Sequence, residues 1–179
     1  NSTDWLSWKS SQPAMAAVDQ NGNVKAIAPG KLAITVTTES GKSASCNLLV
    51  GLRKGDVITN GIYRYKVTNT MVDGSGEVEV IGFVKGRSAK KVSIPKSVAW
   101  NGIKYNVTSV GTRAFIKNKK IRNIVIPDSV RKIRHKAFYA CPNVKKLTIG
   151  KNVSFMGAHA FCLNKKLEKI VFRGTKLKQ

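Results

Sequence analysis

A chain of 179 residues, 42% hydrophobic and 23% charged, has the apolar mass for one medium domain or two small ones, which excludes a disordered tail. Its 32 Lys and Arg against 9 Asp and Glu leave a net charge of +23, a field that speeds encounter with polyanions and makes it salt-dependent. No apolar run nears the roughly 20 residues of a membrane-spanning helix, so no membrane insertion is expected, and Asn1-Ser2-Thr3-Asp4-Trp5 lacks the pattern of a secretory signal.

Residues 1–50 hold four basic and three acidic residues, so little of the charge lies here. Short strand-like runs alternate with turns: Trp8-Lys9-Ser10-Ser11-Gln12-Pro13, Ala17-Val18-Asp19-Gln20-Asn21-Gly22-Asn23-Val24, Ala28-Pro29-Gly30 and Ala33-Ile34-Thr35-Val36-Thr37. Gly22 and Gly30 fall where tight turns need them. These strings resemble the C-terminal part of the group 2 bacterial immunoglobulin-like (Big2) domain. The resemblance implies a partial Ig-like β-sandwich of the kind used in stalks, with Trp8 at a core position. The two opening strands that the family places before Trp5 would be missing, and a half sandwich that exposes its core is marginal.

Residues 51–88 follow as a separate element. Ile62-Tyr63-Arg64-Tyr65-Lys66-Val67-Thr68 and Glu77-Val78-Glu79-Val80-Ile81 both alternate, with Asp73-Gly74-Ser75-Gly76 between them. This pattern predicts a β-hairpin, placed to cap the apolar end of what comes next.

From residue 89 the chain becomes repetitive. Residues 107–129, 130–152 and 153–175 are three gapless blocks with a period of 23. Stacking them gives apolar columns: Val107/Val130/Val153, Val110/Ile133/Met156, Phe115/Phe138/Phe161, Ile121/Val144/Leu167, Ile124/Leu147/Ile170 and Ile126/Ile149/Phe172. One block cannot bury its own apolar face, but blocks stacked about 4.8 Å apart turn the columns into one interior. Ile121-Arg122-Asn123-Ile124-Val125-Ile126 has the spacing L-x-x-L-x-L, whose last three positions alternate as a strand does, so the blocks predict a parallel sheet. Ahead of it the Asn118/Cys141/Asn164 column supplies small polar groups that satisfy backbone where the chain turns. The Ala-Phe segments are expected as short helices or helical turns. A partial copy, Val92-Ser93-Ile94-Pro95-Lys96-Ser97-Val98, precedes the blocks and is followed by an insertion, residues 99–106. Residues 174–179 read as the opening of a further repeat.

The Gly111-x-x-Ala114-Phe115 spacing, the Ile126-Pro127-Asp128-Ser129-Val130 junction and the period itself resemble the BspA-type leucine-rich repeats of bacterial surface proteins, over about residues 89–175. The resemblance implies a β-rich α/β solenoid, a right-handed coil with a parallel sheet and short helices, exposed on the bacterial cell surface. It further implies attachment to host matrix proteins or other cells.

Catalytic and metal chemistry find little purchase. After Val107 only Asp128 and Glu168 are acidic, at different positions of the repeat, so they do not read as a paired-carboxylate site. Cys46, Cys141 and Cys162 are too scattered for a disulfide framework or a zinc knuckle. Cys141 and Cys162 with His135 and His159 were weighed as a nucleophile or metal set, and a small core residue is the better account of Cys141. No enzyme activity, cofactor or metal is therefore expected.

Eighteen basic residues after Val107 against two acids give that region a balance of +16. The candidate ligand-binding face comprises Lys91, Lys146 and Lys169 on outward strand positions, Lys119, Lys120, Lys165 and Lys166 just before the strands, and Arg122. Trp100 in the insertion is the candidate aromatic contact. The partners this implies are a host extracellular protein or an anionic glycan or wall polymer. Nucleic-acid or general polyanion binding is the runner-up, since no recognition helix or aromatic platform is visible, and a structural wall spacer is the third reading.

Overall fold

In the first half of the chain, short alternating runs bounded by Ser, Pro, Asn and Gly become strands because the alternation buries one face and the bounding residues turn the chain. The structure, a computed structural model, describes residues 5–71 and 75–174. It divides into two compact units, Asn1–Leu52 with Trp100–Ile103 and Arg53–Ala99 with Lys104–Gln179.

The first unit holds β1 (Leu6–Ser10), β2 (Ala16–Val18), β3 (Val24–Ala26), β4 (Gly30–Thr38) and β5 (Ser43–Val50). β1, β4 and β5 form an antiparallel sheet in the order β1-β4-β5, and β2 and β3 form a separate antiparallel pair. Alternate residues of β4 face inward, so Leu32 and Ile34 join Ala16 in a small core, with Trp8, Met15, Val18, Leu48 and Val50 packed against it. Asp19 organises the β2–β3 turn: its carboxylate accepts the N–H groups of Asn21 and Asn23 and the Asn23 side-chain amide. Those bonds, the Asn23 side chain's foremost, hold the Asp19 pKa below its ordinary value. Gly22 completes the turn at φ +81°, and a Cβ there would stand 2.7 Å from Cζ2 of the Trp8 ring.

The second unit begins with β6 (Val57–Asn60), β7 (Tyr63–Asn69) and β8 (Glu77–Phe83), an antiparallel meander. Its alternation buries Ile58, Tyr63, Tyr65, Val67, Val78 and Val80, and burial pushes the Tyr63 and Tyr65 phenols up. Asp73 and Gly74 of the expected connecting turn lie outside the described residues, as do residues 175–179.

The remaining strands are β9 (Lys91–Ser93), β10 (Ser97–Trp100), β11 (Ile103–Val110), β12 (Asn123–Val125), β13 (Lys132–Ile133), β14 (Lys146–Ile149), β15 (Phe155–Met156) and β16 (Lys169–Phe172). β9, β12, β14 and β16 lie side by side in one all-parallel sheet, the ribbon that the L-x-x-L-x-L spacing predicts. The columns keep register: Val92, Ile124, Leu147 and Ile170 are successive partners. A second run of strands was not expected. β11 pairs in parallel with β8, β13 with β11 and β15 with β13, extending the meander into a seven-stranded sheet in which β10 also pairs with β11. The Val107/Val130/Val153 and Val110/Ile133/Met156 columns flank or occupy these short strands. The insertion is thus largely the β10–β11 hairpin.

Between the two sheets runs the aromatic column. Phe115, Phe138 and Phe161 stack with ring centroids 5.0 and 5.3 Å apart and planes within 8°. Phe115 and Phe138 are buried. Burying one such side chain contributes on the order of 1.5–3 kcal/mol.

The short helices expected at the Ala-Phe segments are not formed, and the described residues contain no helix at all. The reason is where the backbone N–H groups go. Arg113, Phe115 and Lys117 donate to the carbonyls of His135, Ala137 and Tyr139 at 3.0, 2.8 and 2.8 Å. Lys136, Phe138 and Ala140 donate to Ala158, Ala160 and Cys162 at 3.1, 2.8 and 2.9 Å. The intervening amides close tight turns such as Ala114 to Gly111 and Ile116 to Arg113. Arg113, Lys117, Lys136, Ala140, His159 and Leu163 all adopt positive φ, between 53° and 61°. Left-handed residues at two positions per repeat interrupt any helix, and every second amide bonds the next repeat instead of its own turn.

Candidate functional site

The outward face of the parallel sheet follows from its register. Asn123 pairs with Lys91 on one side and with Lys146 on the other, and Lys146 pairs with Lys169. Lys91, Asn123, Lys146 and Lys169 therefore form one row across four strands, and all four are exposed. With strands about 4.8 Å apart, Lys146 and Lys169 are direct neighbours and Lys91 stands two strands away. The next outward row, Ser93, Val125, Thr148 and Val171, is less open, with Thr148 buried at 8% exposure.

Immediately before the strands a second column forms. The N–H of Arg122 donates to the Lys90 carbonyl at 2.7 Å, and its own carbonyl accepts the Lys145 N–H at 2.7 Å. The N–H of Glu168 then donates to Lys145 at 2.9 Å. This column reads Lys90, Arg122, Lys145, Glu168. At its far end the charge is compensated, the Lys145 ammonium lying 3.1 Å from Glu168. At its near end, Lys90 and Arg122 join Ser88, Ala89, Lys119 and Lys120 around an open cleft of about 370 Å³.

The sequence-derived residues thus fall into separate groups. Lys91, Lys146 and Lys169 share the row, and Lys119, Lys120 and Arg122 share the cleft. Lys165 and Lys166 are exposed, two repeats on from Lys119 and Lys120, with Pro142 and Asn143 in the intervening positions. Asn143 bonds back to the Lys119 carbonyl at 2.8 Å. Trp100 closes β10, is half-buried and is grouped with the first unit. Lys90 was not singled out in the sequence, although aligning Val92–Val98 with Ile124–Val130 sets it opposite Arg122.

A further polar cluster escaped sequence reading. On the seven-stranded sheet Arg131 pairs with Glu77 and Arg134 with Glu79. Thr108 and Ser109 donate to the same two carboxylates at 3.1 Å each. The ion-pair partners lie 54 and 55 residues apart in the chain, so no local pattern announces them.

The small polar column works as its chemistry suggests. Asn118 accepts the N–H groups of Lys120 and Ile121 at 2.9 and 3.1 Å, and Asn164 accepts the N–H of Cys141 at 2.8 Å. Cys141 is buried, its thiol donating to the Phe115 carbonyl at 3.1 Å, and desolvation pushes its pKa up. Cys46 and Cys162 are exposed and all three thiols are free. Iodoacetamide is therefore expected to alkylate Cys46 and Cys162 in the native protein and Cys141 only after denaturation, as read by peptide mass spectrometry. Early labelling of Cys141 would show that the column is open to solvent. His159 lies 3.5 Å from the Cys162 sulfur, and its ring is 6.1 Å from that of His135. Among the described residues no group of three or more His, Cys, Asp or Glu is placed to hold a metal ion.

Comparison with known proteins places these features. Residues 83–179 match the BspA type leucine-rich repeat region in six copies, and residues 1–48 match the group 2 bacterial Ig-like domain. A protein of Clostridium acetobutylicum described as uncharacterized is 28% identical over 125 residues, 70% of this chain and 12% of its own length. A second from that organism is 34% identical over 65 residues, 36% of this chain and 16% of its own. The chain thus spans less than a fifth of the length of these relatives. Among solved structures, a leucine rich cell surface protein from Faecalibacterium prausnitzii A2-165 aligns with a TM-score of 0.54 at 26% identity, covering 64% of this chain and 30% of that one. The pneumococcal vaccine antigen PcpA aligns with a TM-score of 0.50 at 22% identity, covering 71% and 40%, a likeness of fold alone. With an LRR-type fold of strands and sheets and with more than half of its residues matched by the repeat, the chain belongs to the BspA-type leucine-rich-repeat family.

Proposed function

We propose that this chain is part of a bacterial cell-surface protein and acts as a non-enzymatic adhesion or ligand-binding module. In this reading the repeats wind as a right-handed solenoid capped by residues 51–88, and residues 1–50 are part of an Ig-like sandwich serving as a stalk. The partner is a host extracellular protein or an anionic glycan or wall polymer. The observation that carries the reading is the row Lys91, Lys146 and Lys169, held in register on the exposed face of a parallel sheet. A rigid sheet fixes the backbone spacing of these charges, so that only the side chains are left to order on binding, which favours recognition over loose attraction.

The test is binding to matrix proteins, sulfated and unsulfated glycans and purified wall polymer, for the chain and for K91Q/K146Q/K169Q. The triple variant is expected to lose about tenfold or more in affinity for the cognate partner at about 0.15 M salt. A variant that binds every partner as the parent does would overturn the role of the row. Equal affinity for all polyanions, duplex DNA included, would replace adhesion with general polyanion contact.

A further inference from the structure

We infer that the cleft formed by Ser88, Lys90, Lys119, Lys120 and Arg122 is an oxyanion subsite that seats a pendant sulfate ester of a sulfated glycan, a specificity beyond the row itself. The inference rests on the reading of the lysine face as a binding surface, because the cleft opens at the head of β9 and β12, next to Lys91.

Charge bookkeeping within the second unit singles the cleft out. Its described carboxylates are all engaged elsewhere. Asp56 accepts the N–H groups of Arg53 and Val67 through its side chain and backbone, respectively, and Asp128 accepts that of Lys151. Glu77 and Glu79 pair with Arg131 and Arg134, and Glu168 with Lys145. Among the described residues, no carboxylate pairs with Lys90, Lys119, Lys120 or Arg122. Among the described residues, the cleft is lined by four cations and no acid. Like charges gathered around one concavity repel, and an anion seated among them relieves that repulsion as well as gaining attraction.

The site is also held in place. The Arg122 and Asn123 amides both bond the Lys90 carbonyl, at 2.7 and 3.1 Å, which ties the two walls together. The Asn118 carboxamide bonds the Lys120 and Ile121 amides, and Asn143 bonds the Lys119 carbonyl, which fixes the third wall. The next repeat does not reproduce the cleft: its corresponding positions carry Pro142 and Asn143, and its cation Lys145 is matched by Glu168.

The ligand class follows from the chemistry of the lining. Three lysines, an arginine and Ser88 line one concavity, an excess of donors that suits a compact anionic group with three free oxygens. A sulfate ester projecting from a sugar is such a group. A phosphodiester has two free oxygens and chain on both sides, which suits an open row better than a cleft.

The experiment measures affinity of the full chain for a heparin fragment, for the same fragment desulfated, and for duplex DNA of matched charge. Parent protein is compared with K119Q/K120Q/R122Q, with K91Q/K146Q/K169Q, and with K104Q/K132Q/K151Q, which removes as much charge elsewhere. The cleft variant is expected to lose about tenfold or more for heparin at about 0.15 M salt, with a shallower salt dependence, while the distant variant loses far less. Desulfated fragment is expected to bind the parent about tenfold or more weakly. Equal losses in the cleft and distant variants, DNA binding as tight as heparin, or no heparin binding would each overturn the subsite. An unchanged cleft variant beside a weakened row variant would overturn the subsite and leave the proposed binding face standing.

Discussion

Phe138→Ala is expected to destabilise the repeat unit by about 3–5 kcal/mol, the largest loss from any single truncation in the chain. The ring is fully buried and lies between those of Phe115 and Phe161, 5.0 and 5.3 Å away and nearly parallel to both. Removing it leaves a ring-sized gap within a stack, and collapse is opposed from both sides. The backbones carrying the neighbouring rings are pinned by the bonds from Phe115 to Ala137 and from Phe138 to Ala160, each 2.8 Å. A void that cannot relax costs the lost transfer energy plus the cavity term. Phe161 is only half-buried, so its truncation costs less. Urea unfolding of both variants measures the difference. A loss below about 1 kcal/mol for Phe138→Ala would mean that the rings do not form a common interior.

Gly150→Ala tests a different contact and carries an expected cost of about 1–3 kcal/mol. On chain entropy alone the substitution would stabilise, by about 0.4–1 kcal/mol, because alanine has fewer unfolded conformations to lose. Sterics reverse the sign. A Cβ at Gly150 would come within 2.5 Å of the Pro127 carbonyl carbon and 2.7 Å of the Asp128 nitrogen in the preceding repeat, and backbone cannot swing aside as a side chain can. The same corner is tied by Asp128, which accepts the Lys151 N–H at 2.9 Å, and by Asn152, which bonds the Asp128 carbonyl at 2.8 Å. Retreat from the clash strains both bonds. Thermal unfolding decides the matter, and a melting point equal to or above that of the parent would show that the repeats do not nest this closely.

How legible this was in the sequence depended on what repeats. Leu147 and Ile124 declare their partnership because the same interior position returns after 23 residues, so the parallel sheet could be read before any coordinates. The Ala137-Phe138 segment misled for a physical reason. Its composition suits a helix, but the Lys136 and Phe138 amides on either side of Ala137 are taken by the Ala158 and Ala160 carbonyls of the following repeat, and a partner 22 residues away carries no weight in local propensity. β13 and β15 are two residues each, too short for alternation to register. Of the basic residues, Lys91, Lys146 and Lys169 could be placed in a row from the period. The cleft needed Lys90 beside Arg122, a pairing that the alignment of Val92–Val98 with Ile124–Val130 offers even though the insertion after Val98 breaks the period.

The pairing of Arg131 with Glu77 and Arg134 with Glu79 bears on more than local cohesion. The sheet built on β8, β11 and β13 neutralises two of its guanidinium groups internally, whereas on the sheet of β9, β12, β14 and β16 the row lysines keep their charge. The Arg-Glu cluster is therefore a closed, mutually satisfied polar group rather than an open set of cations. Separating either pair would strand a charge beside its former partner, so this patch resists the entry of an outside anion while locking β8 to the repeat that follows it.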